Sequence, residues 1–242
     1  MDFTLTKYRE LLMALKDYGD VILRHDVDLK PQNSLKTAQI ESELGWRATY
    51  YFRAVPESWN ESIILEIASL GHEIGYHYES LTTCNGDMEA AHQDFCKNLE
   101  ALRKLVPVSS ICMHGSPKSK WDSRDLWKRY DYHQLGIDME PYFDIDFSKV
   151  FYLTDTGRRW DGFKVSVRDC ILGYQEEWIQ KGWVFHSTDD IIKAIRENRL
   201  PKDLMITTHP QRWTDNRWQW FVELTMQSLK NVVKRVIVKK KV

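Results

Sequence analysis

The sequence has few cysteines, and their spacing matches no common metal or redox motif. Cys84, Cys96, Cys112 and Cys170 form no Cys-x-x-Cys pair and no zinc-finger pattern. The first residues, 1–8, lack the apolar stretch of a secretory signal. We therefore expect free thiols in a reducing, cytoplasmic compartment.

Long apolar runs and an excess of either charge are also missing. No run approaches the roughly 20 residues that span a bilayer, so we expect no transmembrane segment. With 34 basic and 35 acidic residues, the net charge of -1 gives no electrostatic drive toward nucleic acid. The absence of Gly-x-Gly-x-x-Gly and of a P-loop argues against a dinucleotide or nucleoside-triphosphate enzyme.

Apolar, β-branched segments alternate with helical patterns along the 242 residues. The main strand-like segments are residues 21–28, 47–53, 73–78, 110–114 and 204–209, with shorter pieces at 142–145, 150–153, 163–167 and 183–185. This alternation is typical of a parallel sheet covered by helices. We predict one α/β domain over residues 1–242, built as a closed or nearly closed β/α barrel; a doubly wound open sheet is the alternative.

Polar side chains gather where the predicted strands end. Asp26 and Asp28 end the first strand, and His77, His114 and His209 end three others. In a β/α barrel these ends open onto one face, where active sites lie. Carboxylate and imidazole groups suit a divalent metal ion, with zinc as first choice. The alternatives are that the aspartates cap a helix or pair with lysines, and that each histidine only hydrogen bonds within the fold.

Residues 71–77, Gly-His-Glu-Ile-Gly-Tyr-His, resemble a motif of the polysaccharide deacetylase family, also called the NodB-homology group or carbohydrate esterase family 4. The aspartates after the first strand resemble the first motif of that family, and residues 207–209, Thr-Thr-His, resemble its last. The order of the three motifs fits over residues 20–210. The resemblance implies a distorted (β/α)7 barrel and metal-dependent removal of an acyl group from a sugar.

The same resemblance implies a role for each matched residue. Asp26 would be the general base and His209 the general acid, while Asp28 and His77 would bind the metal. The ion would polarise the acetamide carbonyl and acidify a water molecule, and the acid would protonate the leaving amine.

The chain departs from the family pattern at the metal site. Leu81 occupies the position of the second metal-binding histidine, Val27 separates two aspartates that are usually adjacent, and residues 114–117 replace an Arg-Pro motif. We expect His114 to supply the third ligand, with Glu79 as the second choice.

A segment rich in hydrogen-bond donors, flanked by glycines, is the candidate substrate contact. It comprises Arg158, Arg159, Trp160 and Asp161. Its guanidinium groups and indole could bind a sugar, or the phosphate of a nucleotide-linked or lipid-linked carrier. The alternative is a surface turn in which the aspartate pairs with an arginine.

The predicted function is deacetylation of an N-acetylated sugar in bacterial surface-polysaccharide biosynthesis. One alternative is a catalytically inactive relative that binds sugar, which the leucine at position 81 favours. Another is an amide or ester hydrolase of the same barrel with a different substrate. The basic residues at 230–242 are interspersed with Val and Ile, which predicts either a closing amphipathic helix or contact with an anionic membrane.

Overall fold

Six parallel strands form one sheet in the part of the chain that a computed structural model describes, namely residues 1–115, 119–162, 171 and 173–239. The strands are β1 Val21–Val27, β2 Thr49–Phe52, β3 Glu73–Tyr78, β4 Ile111–Met113, β5 Phe151–Thr154 and β6 Leu204–Thr208. Their spatial order is β4-β3-β2-β1-β6-β5, so β1 lies in the middle and is paired on both sides.

Helices connect the strands and cover the sheet. The α-helices are α1 Leu5–Leu15, α2 Pro31–Glu43, α3 Glu61–Ser69, α4 Ser80–Thr83, α5 Met88–Arg103, α6 Pro141–Asp144, α7 Gln175–Gln180, α8 Thr188–Arg196 and α9 Arg217–Lys239. Short 3-10 turns lie at Ser123–Lys128, Tyr132–Leu135 and Pro210–Arg212.

The parallel strands and the helices between them confirm the predicted α/β class. The sheet curls into part of a barrel. Beyond β4, the described residues continue the sheet with an isolated parallel bridge between Ser110 and Met139. The strand predicted at 163–167 lies outside the described residues. Closure into seven strands therefore stays a prediction.

Two of the shorter strand predictions were wrong. Residues 142–145 mostly belong to α6, because the Glu140 side chain accepts the Tyr142 N–H and Pro141 opens the first turn. Residues 183–185 form no strand; the Trp183 and Phe185 rings pack against Phe151 instead.

The two faces of β1 carry different polar groups, since successive side chains of a strand alternate. On the face toward α2, His25 bonds through Nε2 to Glu41 at 2.7 Å and through Nδ1 to the Thr208 hydroxyl at 2.7 Å. Tyr8 and Tyr50 also donate to the Glu41 carboxylate. This fully buried network, hereafter the Glu41 network, ties α1, α2, β1, β2 and β6 together behind the candidate site.

Candidate active site

Asp26, on the other face of β1, is buried in an ion pair. Arg24, two residues earlier on the same face, donates from Nε and Nη2 to its two carboxylate oxygens at 2.9 and 2.7 Å. Burial alone would raise the pKa of Asp26. The charge of Arg24 and the nearby His77 outweigh that effect and lower the pKa to about 2. Asp26 is therefore ionised at neutral pH.

The Arg24 guanidinium is held by aromatic rings as well as by Asp26. It lies 5.7 Å from the centre of the Tyr51 ring and 5.1 Å from that of Tyr142. Tyr51 in turn crosses β3 at Gly75, where a Cβ would lie 2.4 Å from the ring. The glycine of the motif at 71–77 thus gives room to the ring that supports Arg24.

Asp28 meets two histidines just beyond β1. Its Oδ1 lies 3.6 Å from His77 Nε2 and 3.5 Å from His114 Nε2, and these donor atoms all lie within 4.8 Å of one another. This Oδ1 is buried without a hydrogen-bond partner. Such an orphaned carboxylate oxygen beside two imidazoles needs a cation or a proton to offset its burial.

Both histidines use their other nitrogen to hold the ring in place. His77 Nδ1 donates to the Cys112 carbonyl at 2.9 Å, and His114 Nδ1 donates to Glu79 at 2.9 Å. Because Nδ1 is used in this bond, Nε2 is the ring nitrogen that faces Asp28 and can serve as a ligand atom. This is how histidines that bind metals are usually oriented.

Glu79 lies behind His114. Its Oε2 accepts from His114 while its Oε1 accepts from Arg53 Nε and Nη2 at 2.9 and 2.6 Å. Burial raises the pKa of Glu79, but His114 and Arg53 outweigh it and lower the pKa to about 2. Of the two residues that the sequence leaves open, His114 is therefore the one that presents a donor atom to Asp28.

A second group of donor atoms lies deeper in the sheet. Asp26, His77 and the Cys112 thiol also come within 4.8 Å of one another. This second group shares His77 with the first group. Its carboxylate, that of Asp26, already accepts two hydrogen bonds from Arg24. The group of Asp28, His77 and His114 is thus the better fit for a divalent ion.

His209 approaches Asp28 from β6. Its Nε2 lies 3.9 Å from Asp28 Oδ2, and its Nδ1 bonds to Asp155 Oδ1 at 2.6 Å. Burial and the neighbouring Arg212 lower the pKa of His209, but the carboxylates of Asp155 and Asp28 outweigh them, so the pKa is raised.

Asp155 is a member of the site that sequence reasoning missed. It follows β5 directly, so the same signal, a polar residue at a strand end, would have found it. Its buried carboxylate accepts the His209 backbone N–H at 3.0 Å, Arg212 Nη1 at 2.5 Å and the Trp213 indole at 2.7 Å. These donors keep the pKa of Asp155 low despite burial.

The predicted substrate segment is engaged within the protein. Trp160 is 4% exposed and its indole donates to Thr188. Arg159 forms a two-point ion pair with Asp161 at 2.6 and 2.8 Å, and Arg158 is buried against the Trp220 ring. Substrate binding by these four residues stays a prediction.

An open cleft of about 330 Å³ lies on the Tyr142 side of the site. Its lining residues are Arg124, Tyr142, Ile145, Asp146, Phe147, Ile171 and Tyr174. One of these lining residues, Tyr142, also has its ring against the Arg24 guanidinium, which pairs with Asp26. Aromatic and polar side chains of this kind are common in small-ligand pockets.

By sequence, the chain matches no protein-family model and no curated protein. Among solved structures, an esterase of carbohydrate esterase family 4 from Streptococcus mutans matches with a TM-score of 0.45 and 13% identity, over 93% of this chain and 85% of that one. A family 4 pseudoenzyme from Bacillus anthracis matches with a TM-score of 0.43 and 12% identity, over 88% of this chain. The chain spans about three fifths of that pseudoenzyme, 61% of its length. At this level of similarity, the function has to be inferred from the side chains of the site.

Proposed function

We propose that the chain is a metal-dependent hydrolase that removes the acetyl group from an N-acetylated sugar. The observation that carries the proposal is the buried, unpartnered Oδ1 of Asp28 facing the Nε2 atoms of His77 and His114. An ionised carboxylate, Asp26, and a histidine with a raised pKa, His209, flank this group. A metal site with a general base and a general acid beside it is an arrangement that can hydrolyse an amide.

Asp28, His77 and His114 would hold the metal, and their one oxygen and two nitrogen donors favour zinc among divalent ions. When bound, the ion supplies Lewis acidity toward the acetyl carbonyl and toward water.

Asp26 and His209 are positioned to move the two protons of the reaction. Asp26 is already ionised and can accept the proton of the attacking water, and the Arg24 pair holds its carboxylate in one orientation. His209, whose pKa Asp155 raises, can in its protonated form donate from Nε2 to the leaving amine. Hydrolysis of the amide then leaves acetate and an amino sugar.

We assign the sugar to the cleft lined by Tyr142, because that cleft is open and the Tyr142 ring contacts the guanidinium that holds Asp26. A polysaccharide precursor, free or linked to a nucleotide or lipid, is the substrate class we propose. The role would be in bacterial surface-polysaccharide biosynthesis.

The deciding experiment compares metal content with acetate release. Metal-loaded protein is incubated with N-acetylated sugars in free, nucleotide-linked and lipid-linked form. We expect Asp26→Asn to keep the bound metal while acetate release falls by about 10²-fold or more, since the proton acceptor is lost. Undiminished release from the variant would contradict the role of Asp26.

The same assay distinguishes the alternatives. Metal-loaded protein that binds the sugars without releasing acetate would favour the inactive sugar-binding relative. Leu81, which motivated that alternative, is 1% exposed in α4 and packs in the core. In our proposal His114, after β4, takes the role of the histidine that is missing at position 81. Release of a different acyl group or alcohol would favour the broader hydrolase.

A further inference from the structure

The long helix α9 has its polar side toward the protein. The residues that face inward are Trp220, Glu223, Leu224, Gln227 and Asn231. Asn231 donates to the Gly157 carbonyl at 2.8 Å and Gln227 donates to Asn231 at 2.8 Å. Glu223 lies 3.8 Å from the Lys30 ammonium. Hydrogen bonds and charge, more than apolar packing, hold this helix to the body.

The outward side of α9 is apolar. Within residues 217–233, where its side chains are described, the exposed large apolar ones are Trp218, Phe221, Val222, Met226, Leu229, Val232 and Val233. At 3.6 residues per turn, these positions fall within an arc of about 140°. Trp218 is 73% exposed and Leu229 is 61% exposed. A surface helix normally has the opposite arrangement, so this stripe calls for an apolar partner.

The charges around the stripe decide what that partner is. Residues 230–241 contain six Lys and Arg and neither Asp nor Glu. Within 217–233 the one acidic residue is Glu223, which lies near Lys30 on the inward side. A second copy of α9 would carry the same basic excess and would offer few acidic groups to pair with it. An anionic surface complements the basic residues, and a bilayer of acidic phospholipid offers both negative charge and apolar depth.

We propose that α9 binds the surface of an anionic phospholipid bilayer, with the stripe from Trp218 to Val233 inserted at the level of the headgroups. The helix would lie in the plane of the membrane; among the described residues, no helix is long and apolar enough to cross it. The basic residues of 230–241 would add attraction to acidic headgroups.

This location would bring the candidate site close to the membrane. The turn that bonds to Asn231 through Gly157 begins at Asp155, the partner of His209. If the proposed deacetylation is correct, its substrate would then be a sugar carried on a membrane lipid. Membrane binding itself requires no catalysis, so it can be tested independently of that function.

The test is sedimentation of the whole chain with vesicles. We expect binding to vesicles of phosphatidylglycerol mixed with phosphatidylcholine, weak binding to phosphatidylcholine alone, and loss of binding as salt is raised. The double variant Phe221→Gln/Leu229→Gln should bind at least about tenfold more weakly, because two inserted side chains are lost. The matched control Met13→Gln/Leu65→Gln changes two side chains of similar exposure on α1 and α3 and should bind like the original chain.

Circular dichroism melting curves of both variants establish that the exposed substitutions leave the fold intact. Equal binding to both vesicle types, or binding to neither, would overturn the proposal. So would a dimer in solution that Phe221→Gln/Leu229→Gln converts to monomer, since a second copy would then be what covers the stripe.

Discussion

At the scale of single residues, three side chains of the candidate site are each oriented by a hydrogen bond to a neighbouring side chain. Arg24 holds Asp26, Glu79 holds His114 and Asp155 holds His209. Such outer partners set which nitrogen of a histidine carries the proton and which way a carboxylate faces. Changing a partner should therefore alter the chemistry without removing the group that performs it.

The first test at this scale separates His114 from Glu79. We expect His114→Ala to abolish measurable zinc binding in isothermal titration calorimetry, because a donor atom is removed. Glu79→Gln should weaken binding by about 10- to 100-fold, since it only orients the ring. A larger loss for Glu79→Gln than for His114→Ala would make Glu79 the ligand.

The second test concerns the pKa of His209. Asp155 raises that pKa, so activity that needs protonated His209 should fall as pH rises through the raised value. In Asp155→Asn the pKa falls, and the alkaline limb of kcat/KM should move to lower pH. The control Asp144→Asn changes a carboxylate bonded to Tyr132 and should leave the limb in place. An unmoved limb in Asp155→Asn would mean that another group titrates there.

At the scale of secondary structure, the Glu41 network fixes how the helices sit behind β1. One buried carboxylate accepts from two tyrosines, on α1 and β2, and bonds to His25 on β1. His25 then reaches Thr208 on β6. These two residues immediately precede Asp26 and His209, so the bond sets the spacing of the proposed base and acid.

We expect Glu41→Gln to lower the free energy of unfolding by about 3 kcal/mol, because a buried ionic network loses its charge. The control Glu43→Gln is on the same helix as Glu41 and alters an exposed ion pair with Arg9 of α1. It should change the free energy of unfolding by less than about 0.5 kcal/mol. Urea unfolding followed by circular dichroism measures both, and equal effects would remove the special role of Glu41.

The pH dependence of that stability has a defined sign. Burial raises the pKa of Glu41, but His25 and the tyrosine hydroxyls outweigh it, so the folded-state pKa is below its usual 4.5. A lowered pKa stabilises the fold above the unfolded-state value, and the contribution is lost as pH falls through the folded-state value. Between those pH values, Glu41→Gln should show a shallower loss of stability on acidification than the original chain.

At the scale of the whole molecule, sequence patterns predicted the parallel strands well and the irregular middle poorly. Strands β1 and β6 lie where continuous apolar runs end in polar residues. The strand prediction at 142–145 was wrong because it followed the preference of Tyr and Phe for strands. The Glu140 cap and the proline after it instead start a helix there. Local capping chemistry outweighed the intrinsic preference of the side chains.

The convergence of Asp26, Asp28, His77, His114 and His209 was likewise predictable, since parallel strands end at one edge. The residues that hold these side chains in place could not be predicted in the same way. The bond of Asp155 to His209, for example, spans 54 residues and depends on β5 lying beside β6. The sequence also did not show that α9 has its apolar side outward and its polar side toward the protein. Its apolar residues follow a helical period, and only the packed structure shows which side faces out.

The strand order has a consequence for how the chain is made. β6 lies between β1 and β5, so during synthesis from the N-terminus β1 keeps an open edge, and β5 lacks its partner, until residues 204–208 emerge. The same late strand carries Thr208 and leads into His209. Between the emergence of β5 and that of β6, the nascent chain therefore exposes both of these pairable edges, the situation in which strands associate wrongly and chaperones are needed. The step that completes the sheet is also the step that first assembles the proposed acid and base.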